Sequence, residues 1–173
     1  MLIVTAGLPG AGKSTIAEVV GNRLGAPVVS VDPIESAILS AGINADEPTG
    51  LAAYLVAETM AEAVLAGGGS VIVDAVNAVE PARDQWVKLA ARQKVPIKFL
   101  EVICSDPELH RTRLASRGRR FTHLTEPTWH AVEQSLDEWE SWTGATGAVP
   151  RITLDSVRPL GVNVDQAIAF LES

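Results

Sequence analysis

Gly7-Leu8-Pro9-Gly10-Ala11-Gly12-Lys13-Ser14 is the stretch that decides the fold. It meets the pattern G-x-x-x-x-G-K-[ST] at every fixed position. Its glycines let the backbone curl around a phosphate without Cβ clashes, so several amide N–H groups can point inward. Lys13 brings a charge for β- and γ-phosphates, and Ser14 a hydroxyl for Mg²⁺. The octapeptide also arises by chance, so its surroundings carry weight. Leu2–Ala6 reads as a buried strand leading in. Ser14–Leu24 reads as a helix leading out, with Ile16, Val19, Val20 and Leu24 on one face. The stretch predicts a phosphate cradle for a nucleoside triphosphate.

Outward from the loop, strand and helix alternate. Strands are predicted at Leu2–Ala6, Pro27–Val31, Ser70–Asp74, Ile97–Cys104 and Arg151–Leu154. Helices are predicted near Ser14–Leu24, Pro33–Ser40, Leu51–Ala66, Pro81–Gln93, Pro107–Arg117, Pro127–Thr143 and Val164–Leu171. Short apolar strands without alternation imply burial on both faces, hence an α/β fold with a parallel sheet between helix layers. Ligands in such sheets gather beyond the carboxyl ends of the strands, which directs attention to Gly7, Asp32, Asp74 and Ser105. With 173 residues and no linker or repeat, one domain over 1–173 is expected.

Each of these polar residues admits two readings. Asp32-Pro33-Ile34-Glu35 looks like a capping box, with Asp32 at the N-cap and Pro33 at N1. The Asp32 carboxylate also falls at the ligand edge, where it could take a proton from an acceptor hydroxyl or hold a metal-bound water. Asp74 closes the apolar run Val71-Ile72-Val73, as a carboxylate near Mg²⁺ would, although aspartate also ends strands at turns. Asn77 could serve the metal shell, the acceptor or a helix cap. The run His110–Arg120 holds five of ten arginines in a chain of net charge −7. It reads as a phosphate clamp or as a solvated helix face, and Ser105-Asp106-Pro107-Glu108 caps its start. Trp129, Val132, Leu136 and Trp139 follow helical spacing and predict a core stripe.

Composition narrows the function classes. The negative charge argues against extended nucleic acid. The single cysteine, Cys104, rules out an intrachain disulfide and reads as a buried structural thiol in a cytoplasmic protein. With the loop so near the first residue, no signal peptide is expected. Glu58 and Glu62 interrupt the longest apolar run, Leu51–Ala66, so no membrane span is expected. The histidines show no metal-ligand spacing.

The order Gly7–Thr15, Val31-Asp32, Val71–Asn77 and Arg111–Arg120 resembles the small P-loop kinases of the nucleoside-monophosphate-kinase-like group. It is similar above all to compact AAA_33-type ATP-binding proteins and to zeta-toxin, chloramphenicol-phosphotransferase and polynucleotide-kinase relatives. The resemblance covers most of the chain. It implies a three-layer αβα fold with a five-stranded parallel sheet in order 2-3-1-4-5, and a short lid at about 117–126. It implies that Lys13, Ser14 and Thr15 hold phosphates and Mg²⁺, with Asp74 as the second metal residue. Asp32 would be the acceptor-side base, with Tyr54 and Asn77 beside it. Arg113, Arg117 and Arg120 would reach phosphates or adenine, Arg113 and Arg117 in a catalytic role. ATP is the expected nucleotide, because the guanine-reading N/T-K-x-D motif is missing. Where polynucleotide kinases tend to carry an arginine, three residues after the acceptor-side aspartate, this chain has Glu35. The leading expectation is phosphoryl transfer from ATP to a small-molecule hydroxyl. A nucleotide-dependent regulatory switch and, less favoured, a nucleic acid 5′-kinase are the alternatives.

Overall fold

The computed structural model describes residues 1–116, 118 and 121–173. Five strands form one parallel sheet: β1 (Leu2–Ala6), β2 (Val28–Ser30), β3 (Val71–Asp74), β4 (Ile97–Ile103) and β5 (Arg151–Asp155), in the order β2-β3-β1-β4-β5. This is the expected 2-3-1-4-5 sheet. β1 lies at its centre, with Leu2 opposite Val71 on one side and Ile97 on the other.

The described helices are α1 (Lys13–Leu24), α2 (Val31–Ser40), α3 (Thr49–Ala66), α4 (Glu80–Gln93), α5 (Pro107–Ser116), α6 (Trp129–Asp137), α7 (Gly144–Gly147) and α8 (Leu160–Glu172). Two-residue alternation splits each strand between two cores. Ile3, Leu100 and Leu154 meet Ile16 and Val20 of α1 and Val164 and Leu171 of α8. Leu2, Val4 and Phe99 face the opposite way, toward Ala53, Ala57 and Ala61 of α3 and Trp86 and Leu89 of α4. The alanine row lets α3 lie close to the sheet. α3 is also long and apolar enough by composition to cross a membrane; here it packs on α2, α4, β2 and β3.

Several boundaries differ from the sequence expectation. α2 starts at Val31, so its N-cap is Ser30 and Asp32 sits inside the first turn. The capping box does not form. Ser30 Oγ donates to Asp74 instead, and Glu35 accepts from Thr49 Oγ1 at 2.9 Å. Pro33 is tolerated because a first-turn residue needs no N–H partner. At α5 the cap is Asp106, whose Oδ1 accepts from the backbone N–H groups of Glu108 and Leu109. The helix expected over Pro127–Thr143 stops at Asp137. Tertiary bonds redirect the chain there: Glu140 N–H donates to Ala78 O, and Arg83 Nη2 donates to Glu140 O at 2.7 Å. The predicted stripe is therefore only partly core. Val132 is buried and Trp129 and Trp139 pack on it, while Leu136 is exposed. Cys104, expected buried, is half-buried just past β4.

Candidate active site

The loop that follows β1 is held from three directions. Gly7 N–H donates to Val76 O at 3.0 Å, fastening the loop to the chain beyond β3. Gly7 has φ 149°, and a Cβ there would lie 2.2 Å from Val102 O, so only glycine fits. From α5, His110 Nε2 lies 2.8 Å from Pro9 O; the carbonyl can only accept, so the ring donates. The same imidazole closes the space beside Gly10, where a Cβ would be 3.2 Å from His110 Cδ2. An edge-to-face contact with Trp129, with ring centroids 5.4 Å apart, fixes its orientation. No local pattern in the sequence signals this brace, because His110 and Pro9 lie 101 residues apart.

Lys13 opens α1, only 8% exposed, with Nζ donating to Leu8 O at 3.0 Å. A helix N-terminus at a glycine-rich turn presents N–H groups and a positive dipole end to an anion. Asp74, at the end of β3, is buried and held by two hydroxyls. Thr5 Oγ1 donates to Oδ1 at 3.1 Å and Ser30 Oγ to Oδ2 at 3.2 Å. These donors come from the two strands that flank β3, so the sheet itself aims the carboxylate. The all-oxygen pair of Ser14 hydroxyl and Asp74 carboxylate suits Mg²⁺, which keeps much of its water shell. No group of three or more His, Cys, Asp or Glu able to hold a metal occurs among the described residues.

A cavity of about 720 Å³ opens over the loop. Gly10, Gly12, Lys13, Ser14 and Thr15 form its floor, and Asp32, Asp74, Ala75 and Val76 one side. Ser156, Val157, Arg158, Pro159 and Leu160 form the far end, with Leu124–Pro127 above. Asp32 makes no hydrogen bond or ion pair within the described residues. Arg113 lines the cavity from α5, its Nη1 donating to Ser156 Oγ at 2.8 Å and its Nη2 to Ser156 O at 3.0 Å. Of the expected lid, Leu124, Thr125 and Glu126 reach the cavity, while Arg117 and Arg120 lie outside the described residues.

Tyr54 and Asn77 are not among the cavity's lining residues. Asn77 is fully buried at φ 52°. Its Nδ2 donates to Thr5 O at 2.7 Å, its Oδ1 accepts from Trp86 Nε1 at 2.9 Å, and its N–H donates to the Tyr54 hydroxyl at 3.2 Å. It caps no helix, since the N-cap of α4 is Val79. Burial, and then the negative charges of Asp32, Asp74 and Glu35, push the Tyr54 phenol up to about 12 against the opposing pull of the Asn77 bond.

The AAA_33 family model, described as an AAA domain, matches residues 2–140, which span the loop, Asp32, Asp74 and α5. The chain belongs to the AAA_33 family. None of the curated proteins matches this AAA_33 chain in sequence. Among solved structures, a sugar kinase from Janibacter sp. HTCC2649 is similar with a TM-score of 0.73 at 20% identity, covering 99% of this chain and 94% of that one. A gluconokinase from Sinorhizobium meliloti gives 0.69 at 22%, covering 98% and 90%. Kti12 from Chaetomium thermophilum, in complex with ADP-AlF3, gives 0.71 at 20%, covering 98% and 97%. At these identities what the AAA_33 chain shares with them is the fold.

Proposed function

We propose that the chain is an ATP-dependent kinase that moves the γ-phosphoryl group of ATP to a hydroxyl of a small molecule. One observation carries this reading. The phosphate loop and the unpaired carboxylate of Asp32 open onto a single cavity, with the hydroxyl-braced Asp74 on the same side as Asp32. A carboxylate beside a phosphate cradle has an evident use: it orients an acceptor hydroxyl and takes its proton.

In this reading ATP lies along the floor, with triphosphate on Gly7–Thr15 and adenine toward residues 156–160. Ser14 and Asp74 are the residues that would hold Mg²⁺ beside the phosphates, where it would supply neutralisation of their charge. The bond from acceptor oxygen to γ-phosphorus forms as the bridge oxygen leaves with ADP, and the hydroxyl proton passes to Asp32. Lys13 and the loop amides hold the γ-oxygens in line, so catalysis is mainly positioning and electrostatics. Arg113 stands between phosphates and the far wall, with Arg117 and Arg120 assigned to the phosphates or adenine on the resemblance alone. Tyr54 and Asn77, expected beside the acceptor, bond each other outside the cavity lining and are given no direct part in the transfer. The similar solved structures named a sugar kinase and a gluconokinase support the same reaction class.

A second reading, a nucleotide-dependent switch that docks a partner, is favoured by one feature. α3 exposes Leu51 (60%), Leu55 (53%) and Met60 (48%). One experiment separates the two. ADP formation is followed with alcohols, aminoglycosides, nucleosides and sugars as acceptors, and products are identified by mass. Acceptor-stimulated turnover with a phosphorylated product supports the kinase. Hydrolysis that no acceptor stimulates supports the switch.

A further inference from the structure

α3 is apolar enough by composition to cross a membrane, yet only 28% of it is buried. Its inward row, Ala53, Ala57 and Ala61, meets the sheet. Its outward row is Leu51, Leu55, Val56 and Met60, exposed by 60%, 53%, 42% and 48%. The two charges of the helix are turned sideways onto α4. Glu58 pairs with Arg92 and accepts from Gln85, and Glu62 accepts from Gln93. The one hydroxyl on the outward face, Thr59 Oγ1, is satisfied by Leu55 O. A chain of net charge −7 thus presents an uncharged apolar face along a whole helix. The four large side chains leave roughly 350 Å² of apolar surface bare, a patch of the size that marks an interaction site.

Bulk is unevenly spread along this face. Leu51, Leu55 and Val56 stand in its first half, and exposed Thr59, Ala63 and Ala66 in its second, beside Met60. Two copies of α3 packed antiparallel about a twofold axis would set the bulky half of each against the small half of the other. That is the reciprocity a twofold contact requires, with ridges meeting grooves. Charge has the same polarity. Asp46 and Glu47, both exposed, precede the bulky end. Lys94, also exposed, follows Gln93, which bonds Glu62 in the other half. No side-chain hydrogen bond or ion pair of Lys94 occurs among the described residues. The same axis therefore brings the acidic end of one copy toward the cationic end of the other. The 18 residues of α3 span about 27 Å. With α2 and α4 on its flanks, the face can supply the about 800 Å² per copy of a stable interface.

We infer that α3 is the contact between two copies of this chain, packed antiparallel about a twofold axis. A lipid surface fits less well, because interfacial helices carry lysine and arginine beside their apolar face and α3 carries neither. A different protein seated there would leave the chain alone a monomer. None of the residues named for the contact lines the active-site cavity, so it is independent of the kinase reading.

The test is the mass of the full chain in solution, by light scattering and sedimentation velocity over about 1–100 µM. The expected mass is twice the 18.3 kDa of one chain. Leu55→Asp, at an exposed position, should weaken association about tenfold or more and leave the far-ultraviolet circular dichroism unchanged. A second set of variants reads the contact even where that one fails to fold. Glu47→Lys and Lys94→Glu should each weaken association, and the two together should restore it. The mass of one chain at the highest concentration overturns the inference, whether or not the chain then sediments with phosphatidylcholine–phosphatidylglycerol vesicles. So does a dimer that folded Leu55→Asp leaves intact, or a double variant no tighter than either single one.

Discussion

At the scale of single residues, the site separates groups that touch phosphate from groups that hold those groups in place. Lys13→Ala should abolish transfer and leave the far-ultraviolet circular dichroism and melting curve near those of the parent; an unfolded or fully active variant contradicts the assignment. Asp32→Asn removes the proton acceptor without removing volume. It should lower kcat by about 10²–10⁴-fold with little change in the KM for ATP. His110→Ala should act the other way, because it loosens Pro9 and opens space beside Gly10. The KM for ATP should rise more than kcat falls, as read by steady-state kinetics at saturating acceptor. Tyr54 makes a prediction about pH. Its folded pKa of about 12 lies above the unfolded value of 10. The stabilisation is therefore whole below pH 10 and is lost as pH rises toward 12, because the unfolded phenol gives up its proton first. The loss amounts to about 2–3 kcal/mol at most. Urea midpoints at pH 8 and pH 11 should converge between the parent and Tyr54→Phe as the pH rises.

Among the elements, the helices that frame the site depend on local bonds whose worth is measurable. Asp106→Ala removes the cap that accepts from two N–H groups of α5 and should cost about 1 kcal/mol in urea unfolding. Elements set by short-range chemistry were legible in the sequence. The strand–loop–helix from Leu2 to Leu24 and the buried strand ending at Asp74 both follow from local pattern. What was not legible depends on partners distant in sequence. Ser30 and Asp32 exchanged places at the N-cap because Asp74, 44 residues on, claims the Ser30 hydroxyl. The helix that begins at Trp129 ends early because Arg83 and Ala78 take the backbone at Glu140. Within the candidate site, the motif residues and both aspartates came from sequence. The bracing by His110 and the inward burial of Asn77 did not, since each requires knowing which helix lies across the loop.

On the scale of the whole molecule, the parallel sheet delivers the loop, Asp74 and the start of α2 to one edge, and the helices on the two faces fix how that edge is spaced. Mg·ATP should raise the melting temperature with the logarithm of its concentration over Kd, equivalent to about 2.7 kcal/mol at a hundredfold excess over Kd. Lys13→Ala should show a much smaller rise. Asn77 has a wider consequence. Its buried side-chain amide joins the Thr5 carbonyl of β1 to the indole of α4, and its backbone N–H holds the phenol of α3, so the sheet and both helices of one face meet at a single residue. In a library of every substitution scored by activity alone, Asn77 would be as intolerant as Lys13 and would pass for part of the chemistry. Scoring the amount of folded protein in parallel would part them: Lys13 variants abundant and inert, Asn77 variants scarce.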